Sequence, residues 1–110
     1  MGARKLGHWW NYIVLMDEVR VEFYIDVATA AENKAVFDAI HAQRDSIERA
    51  YGGPLFWQRL DDKRASRISV SVAGGWADES TWPAATEQAV AAMQRLYAAL
   101  APAVREQREG

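Results

Sequence analysis

The chain contains no cysteine. Disulfides and thiolate metal sites are therefore excluded, and redox compartment leaves no trace in the sequence. Histidine is nearly as scarce: His8 lies near the N-terminus and His41 in a helical pattern. Asp38 and His41 stand three residues apart, a spacing that exposed helices often produce by chance, so the donor set is poor for a metal. Fully apolar runs are short, as in "IVLM" at 13–16, against about 18 for a membrane-spanning helix. Neither a membrane segment nor a signal peptide is read, and a cytoplasmic address is the default. There is no G-x-S-x-G elbow, Ser66, Ser69, Ser71 and Ser80 have no histidine nearby, and no glycine-rich phosphate loop occurs, so no cofactor is implied. Excess charge is missing too. Thirteen basic residues face 15 acidic ones, for a net charge of −2, too near neutral for bulk capture of nucleic acid or anionic lipid.

What remains is an ordinary globular mix of 110 residues, half of them apolar, with five tryptophans. So many indoles in one small domain call for a well-filled core or a contact surface. The expected organisation is a tail over 1–8, one α+β domain over 9–104 and a polar tail over 105–110. "WWNYIVLM" at 9–16 and "VRVEFYID" at 19–26 read as a hairpin turned at Asp17 and Glu18. In the second run Val19, Val21, Phe23 and Ile25 alternate with Arg20, Glu22, Tyr24 and Asp26, the mark of a half-buried strand. "TAAE" at 29–32 fits a capping box, and Phe37, Ile40, Ile47 and Tyr51 continue one helical stripe that "YGGP" ends. "LFWQRL" at 55–60 and "ASRISVSV" at 65–72 read as two more strands. A last helix opens near Pro83, with Ser80 or Thr81 as its cap, and Val90, Met93, Tyr97, Leu100 and Val104 as its buried stripe. Pro102 is expected to break or kink it. The order is ββαββα: a four-stranded, mainly antiparallel sheet with two helices on one face. The other face is left open to water or a partner.

"ENK" at 32–34 has the letters of an acid-x-lysine nuclease motif, but it falls in a capped helix start where Glu32 already has a structural role. A small metal-dependent nuclease using Glu22, Asp26 and Glu32 is the weakest of three readings. The densest basic stretch is "RLDDKRASR", in which Arg59, Lys63, Arg64 and Arg67 outnumber Asp61 and Asp62 by two. Guanidinium forks suit phosphate or carboxylate, so these four residues are the candidate anion or nucleic-acid contacts. Tyr24 on the open face is a stacking candidate, although Glu22 and Asp26 beside it would repel a phosphate backbone. The structural alternative is a solvated hairpin loop with its own ion pairs.

"RVEFYID", "ENKAVFDA", "GGPLFWQRLDDKRASRI" and the "WP" that opens the last helix together resemble the bacterial and archaeal family known as domain of unknown function 4268. The resemblance covers residues 7 to 104. It implies no catalytic residues. It implies an accessory module, since members often follow restriction-endonuclease-like domains, and hence a non-catalytic domain contacting nucleic acid or a nuclease-type protein. Family members carry a further helix and strand ahead of the region matching "GHWWNYIV", so a bare sheet edge is expected here. That edge suggests homo-oligomerisation, and a plain homo-oligomerising interaction domain is the rival reading.

Overall fold

The computed structural model of the chain describes residues 8–26 and 29–109. Four strands form one antiparallel sheet: β1 (His8–Val14), β2 (Glu18–Ile25), β3 (Phe56–Gln58) and β4 (Ser66–Ala73), in the order β1-β2-β4-β3. Three helices accompany them: α1 (Ala30–His41), α2 (Arg44–Tyr51) and α3 (Trp82–Glu109), the last preceded by a 3-10 turn at Glu79–Thr81. The class is α+β, with three helices where two were expected.

Register follows the alternation. Val21 pairs with Val70 and Phe23 with Ile68, so one face of the sheet is wholly apolar at its centre. Val21, Phe23, Ile25 and Ile68 are fully buried there, beneath Phe37 and Ile40 of α1 and Leu96 and Leu100 of α3. Among the described residues no helix covers the opposite face. It presents the row Trp9–Tyr24–Arg67–Gln58, with the row Asn11–Glu22–Ser69–Phe56 beside it.

The helices depart from expectation in three instructive ways. Thr29 caps α1 as foreseen, its hydroxyl accepting from the Glu32 amide at 3.1 Å. The stripe from Phe37 to Tyr51 is broken, however, at Ala42 and Gln43. There the Gln43 amide reaches the Ile40 carbonyl at 2.9 Å, a short 3-10 step, before α2 begins. The break lets Ile47 and Tyr51 turn towards α3. Gly52 ends α2 at φ 99°, a left-handed cap that glycine adopts without strain. Arg95 of α3 seals that end, donating to the Tyr51 carbonyl and lying 4.2 Å over the Tyr51 ring.

In α3 the buried stripe is the expected one only in part: Leu100 and Val104 are buried and Met93 packs against the core, but Val90 and Tyr97 do not belong to it. Ala85, Ala89, Ala92, Ala99 and Ala103 face inward with Leu96, Leu100 and Val104, while Val90 and Tyr97 stand exposed. Small side chains let the helix lie close to the sheet, which turns the larger residues out to the flank. Pro102 neither ends the helix nor begins a tail, for the helix runs on to Glu109. Pro102 is exposed while Ala101, Ala103 and Val104 around it are buried. The backbone bond its missing N–H forfeits is therefore offset by burial on either side. Asp78 caps the 3-10 turn ahead of α3, accepting from the Ser80 amide at 3.0 Å, and Thr81 is the residue directly before α3. The expected N-terminal tail lies outside the described residues, except His8, which opens β1.

Candidate functional site

The loop between β3 and β4 is built around a buried amine. Lys34 of α1 is only 9% exposed. Its Nζ donates to the carbonyls of Arg59, Leu60 and Ala65 and lies 3.0 Å from Ser66 Oγ. Burial holds its pKa below the ordinary lysine range. Beside it the buried Asn33 amide donates to the Arg64 carbonyl at 2.8 Å and to Asp26 at 3.3 Å. Two consecutive side chains of one helix turn thus fix the shape of a loop about 30 residues away. The "ENK" letters therefore serve the fold: the Glu32 amide donates to the Thr29 hydroxyl, which in turn donates to the Glu32 carboxylate, and Lys34 pins the loop.

That loop carries the basic residues singled out from the sequence. Tyr24, Lys63, Arg64 and Arg67 come together, lining with Asp26, Leu60 and Ala65 a cleft of about 260 Å³. Arg59 does not join them. It turns to α1, where its fork grips Asp38 at 2.8 and 3.0 Å, and it also meets Asp61. This pairing depresses the Asp38 pKa and raises that of Arg59. Arg64 pairs with Asp26 at 2.6 Å, an interaction that keeps Asp26 ionised below the usual carboxylate range. Arg67 donates to Gln58 at 3.0 Å and lies 3.5 Å from Glu22. Lys63 alone of the four has no carboxylate within ion-pair distance among the described residues.

Glu22 itself is 3% exposed, yet it is not an orphan charge. Arg20 at 3.3 Å and Arg67 flank it, and Asn11 donates to it at 3.1 Å. The two carboxylates that would repel a phosphate near Tyr24 are thus compensated by Arg20, Arg64 and Arg67. No group of three potential ligands occurs among the described residues. Asp38 is occupied by Arg59, and His41 stacks on Phe37 at 5.6 Å and contacts Arg44.

A second surface was not foreseen. Tyr12 and Val14 of β1, Trp76 of the loop before α3, and Trp82, Ala89 and Val90 of α3 line an open apolar groove of about 430 Å³. Its floor depends on Gly75, which lies directly beneath the β1–β2 turn. There the Trp76 amide donates to Leu15 O at 3.0 Å and the Ala77 amide to Met16 O at 3.1 Å. A Cβ at position 75 would overlap both carbonyls. The Trp82 indole ties the loop down by donating to Gly75 O at 2.8 Å. Farther along, Trp10 lies between Phe23 at 4.5 Å and Tyr97 at 4.9 Å. The usable signal in the sequence was the i, i+4, i+7 series Ala85, Ala89, Ala92. Read as the buried stripe, it would have put Val90 and Tyr97 outside.

A family model described as a domain of unknown function (DUF4268) matches residues 5–104. The chain belongs to this family. The match spans every strand but reaches only part of α3. No curated protein and no solved structure matches the chain. Within this DUF4268 domain, both the basic cleft and the apolar groove lie in the matched span.

Proposed function

We propose that this DUF4268 domain is a non-catalytic protein-interaction module, which docks its partner along β1 and the adjoining groove. One observation carries the reading: nine large hydrophobic side chains among the described residues are at least 40% exposed, and seven of them, all but Phe56 and Trp9, lie at Tyr12 and Val14 of β1, in the turn after it, or along the groove and α3 beside it. Apolar surface gathered on one side of a small domain marks a place where another surface sits. The accessory role implied by the resemblance, next to a nuclease-type protein in a restriction or defence setting, agrees with a module of this kind. The test is a peptide-display selection against the purified domain. Extended, alternately apolar peptides are expected to be enriched, and their binding is expected to be lost in Val90→Lys. Failure to enrich such peptides, or binding untouched by Val90→Lys, overturns the proposal.

A second reading rests on the cleft. Lys63, Arg64 and Arg67 against Asp26 leave it positively charged beside Tyr24, and the Trp9 ring lies 5.9 Å from that of Tyr24. Such a surface suits a single nucleic-acid strand. Because Arg64 and Arg67 already hold carboxylates, a phosphate would have to displace existing pairs, so this reading stands second. It requires an affinity for an oligonucleotide that falls with salt and weakens in a Lys63→Ala, Arg64→Ala double variant.

A further inference from the structure

We infer that the occupant of the β1 margin is a second copy of the same chain, joined strand to strand about a twofold axis into one eight-stranded sheet. This inference rests on the interaction reading and names its partner.

The two margins of the sheet differ. β3 is three residues long, whereas β1 is seven. Natural edge strands are blunted by shortness, proline, bulges or charge. β3 is short. β1 has none of these guards: "HWWNYIV" contains no proline and no Asp, Glu, Lys or Arg. A strand without charge of either sign is best matched by another uncharged strand of equal length, and the chain itself supplies one.

Register makes the match specific. The Leu15 amide donates to Glu18 O at 2.8 Å, which marks Leu15 and Glu18 as a hydrogen-bonded pair. Pairs alternate along an antiparallel ladder, so Ile13, Asn11 and Trp9 also turn their backbone groups to β2. Val14, Tyr12, Trp10 and His8 therefore turn theirs outward. Full antiparallel overlap of two such strands sets Trp10 opposite Tyr12 of the second copy and His8 opposite Val14. About eight backbone hydrogen bonds then form, two for each hydrogen-bonded pair. The side chains of Tyr12 and Val14, 47% and 56% exposed, come to lie beside Trp10 and Tyr97 of the second copy. Asn11 meets its own counterpart on the axis, as a non-hydrogen-bonded pair with Cα atoms about 4.5 Å apart.

Sedimentation equilibrium at tens of micromolar is expected to give twice the monomer mass. Val14→Lys, at a solvent-facing position that leaves the fold intact by circular dichroism, is expected to weaken the dimer by about tenfold or more, as charge on an edge strand does. Asn11→Cys, the sole thiol in the chain, is expected to form a disulfide-linked dimer in air, because the axial Cα spacing suits the bond. A monomeric mass, a dimer indifferent to Val14→Lys, or an Asn11→Cys variant that stays uncrosslinked while dimeric overturns the inference. A monomer whose groove still takes selected peptides overturns self-pairing alone and leaves the interaction reading standing. A monomer that takes none ends both.

Discussion

Lys34 Nζ lies 2.8 Å from the carbonyl oxygen of Leu60, a contact between the first turns of α1 and the start of a hairpin loop 26 residues on. Leu60 has φ 57°, left-handed for a bulky residue, and its carbonyl is held by the buried ammonium. The loop shape and the lysine are therefore one unit. Replacing Lys34 by Met takes the ammonium from the Ala65 carbonyl and leaves the Arg59 and Leu60 carbonyls with only the Ser66 hydroxyl and the Lys63 amide, while an apolar chain end replaces the buried charge. We expect a loss of about 3 kcal/mol or more in urea denaturation. Lys34→Arg, which keeps the charge but does not fit the same carbonyl cage, is expected to rescue little of it.

Glu48 links α2 to β3, its Oε2 accepting from the Leu55 amide and the Trp57 indole, both at 2.9 Å. The Leu55 amide first, then the Trp57 indole, hold its pKa below the ordinary glutamate range. A carboxyl depressed in the folded state contributes stability above its unfolded pKa and loses that contribution as pH falls through the folded value. Trp57 fluorescence should therefore report a loosening on the acid side of the ordinary glutamate range. Glu48→Gln, which keeps an acceptor but not the charge, should flatten that acid limb. An unchanged acid limb would refute the assignment.

Gly75→Ala forces a methyl group against the Leu15 and Met16 carbonyls, which belong to a turn fixed by its own hydrogen bonds. We expect a cost of about 2 kcal/mol or more, seen as a lower thermal midpoint. Peptide binding along the groove should weaken as well, since Trp76 and Trp82 are placed by this backbone contact.

The two faces of α3 predict opposite outcomes for similar enlargements. Ala92→Leu adds volume where Ala92 is 3% exposed against the sheet, and should destabilise by about 1–3 kcal/mol. Val90→Lys changes an exposed groove position and should stay within about 0.5 kcal/mol in denaturant melts. Equal effects in the two variants would mean that the helix is rotated from the orientation described.

Much of the fold could be read directly. Alternation in β2 and β4 placed Val21, Phe23 and Ile68 inside and Arg20, Tyr24 and Arg67 outside, because a period of two admits only two assignments. Thr29 and Gly52 announced their caps through local chemistry. Helical stripes were less legible where their apolar members were sparse. Arg44 interrupted the Phe37–Tyr51 series at the place where α1 and α2 divide. In α3, hydrophobic size pointed to Val90 and Tyr97, whereas the closeness of helix to sheet selected alanines. The basic cluster was found but not its charge balance, for Asp26, Asp38 and Glu22 reach Arg64, Arg59 and Arg67 only through tertiary contacts.

The inequality between a seven-residue margin and a three-residue one also bears on aggregation. Fibril growth by stacking needs a sticky border on both sides of each unit, so that every addition exposes a fresh one. A sheet with a single receptive border is used up by its first twofold union, and the stubby ends left over have too few free amides to recruit more. Lengthening β3 would be the change that turns a closed pair into a chain of pairs.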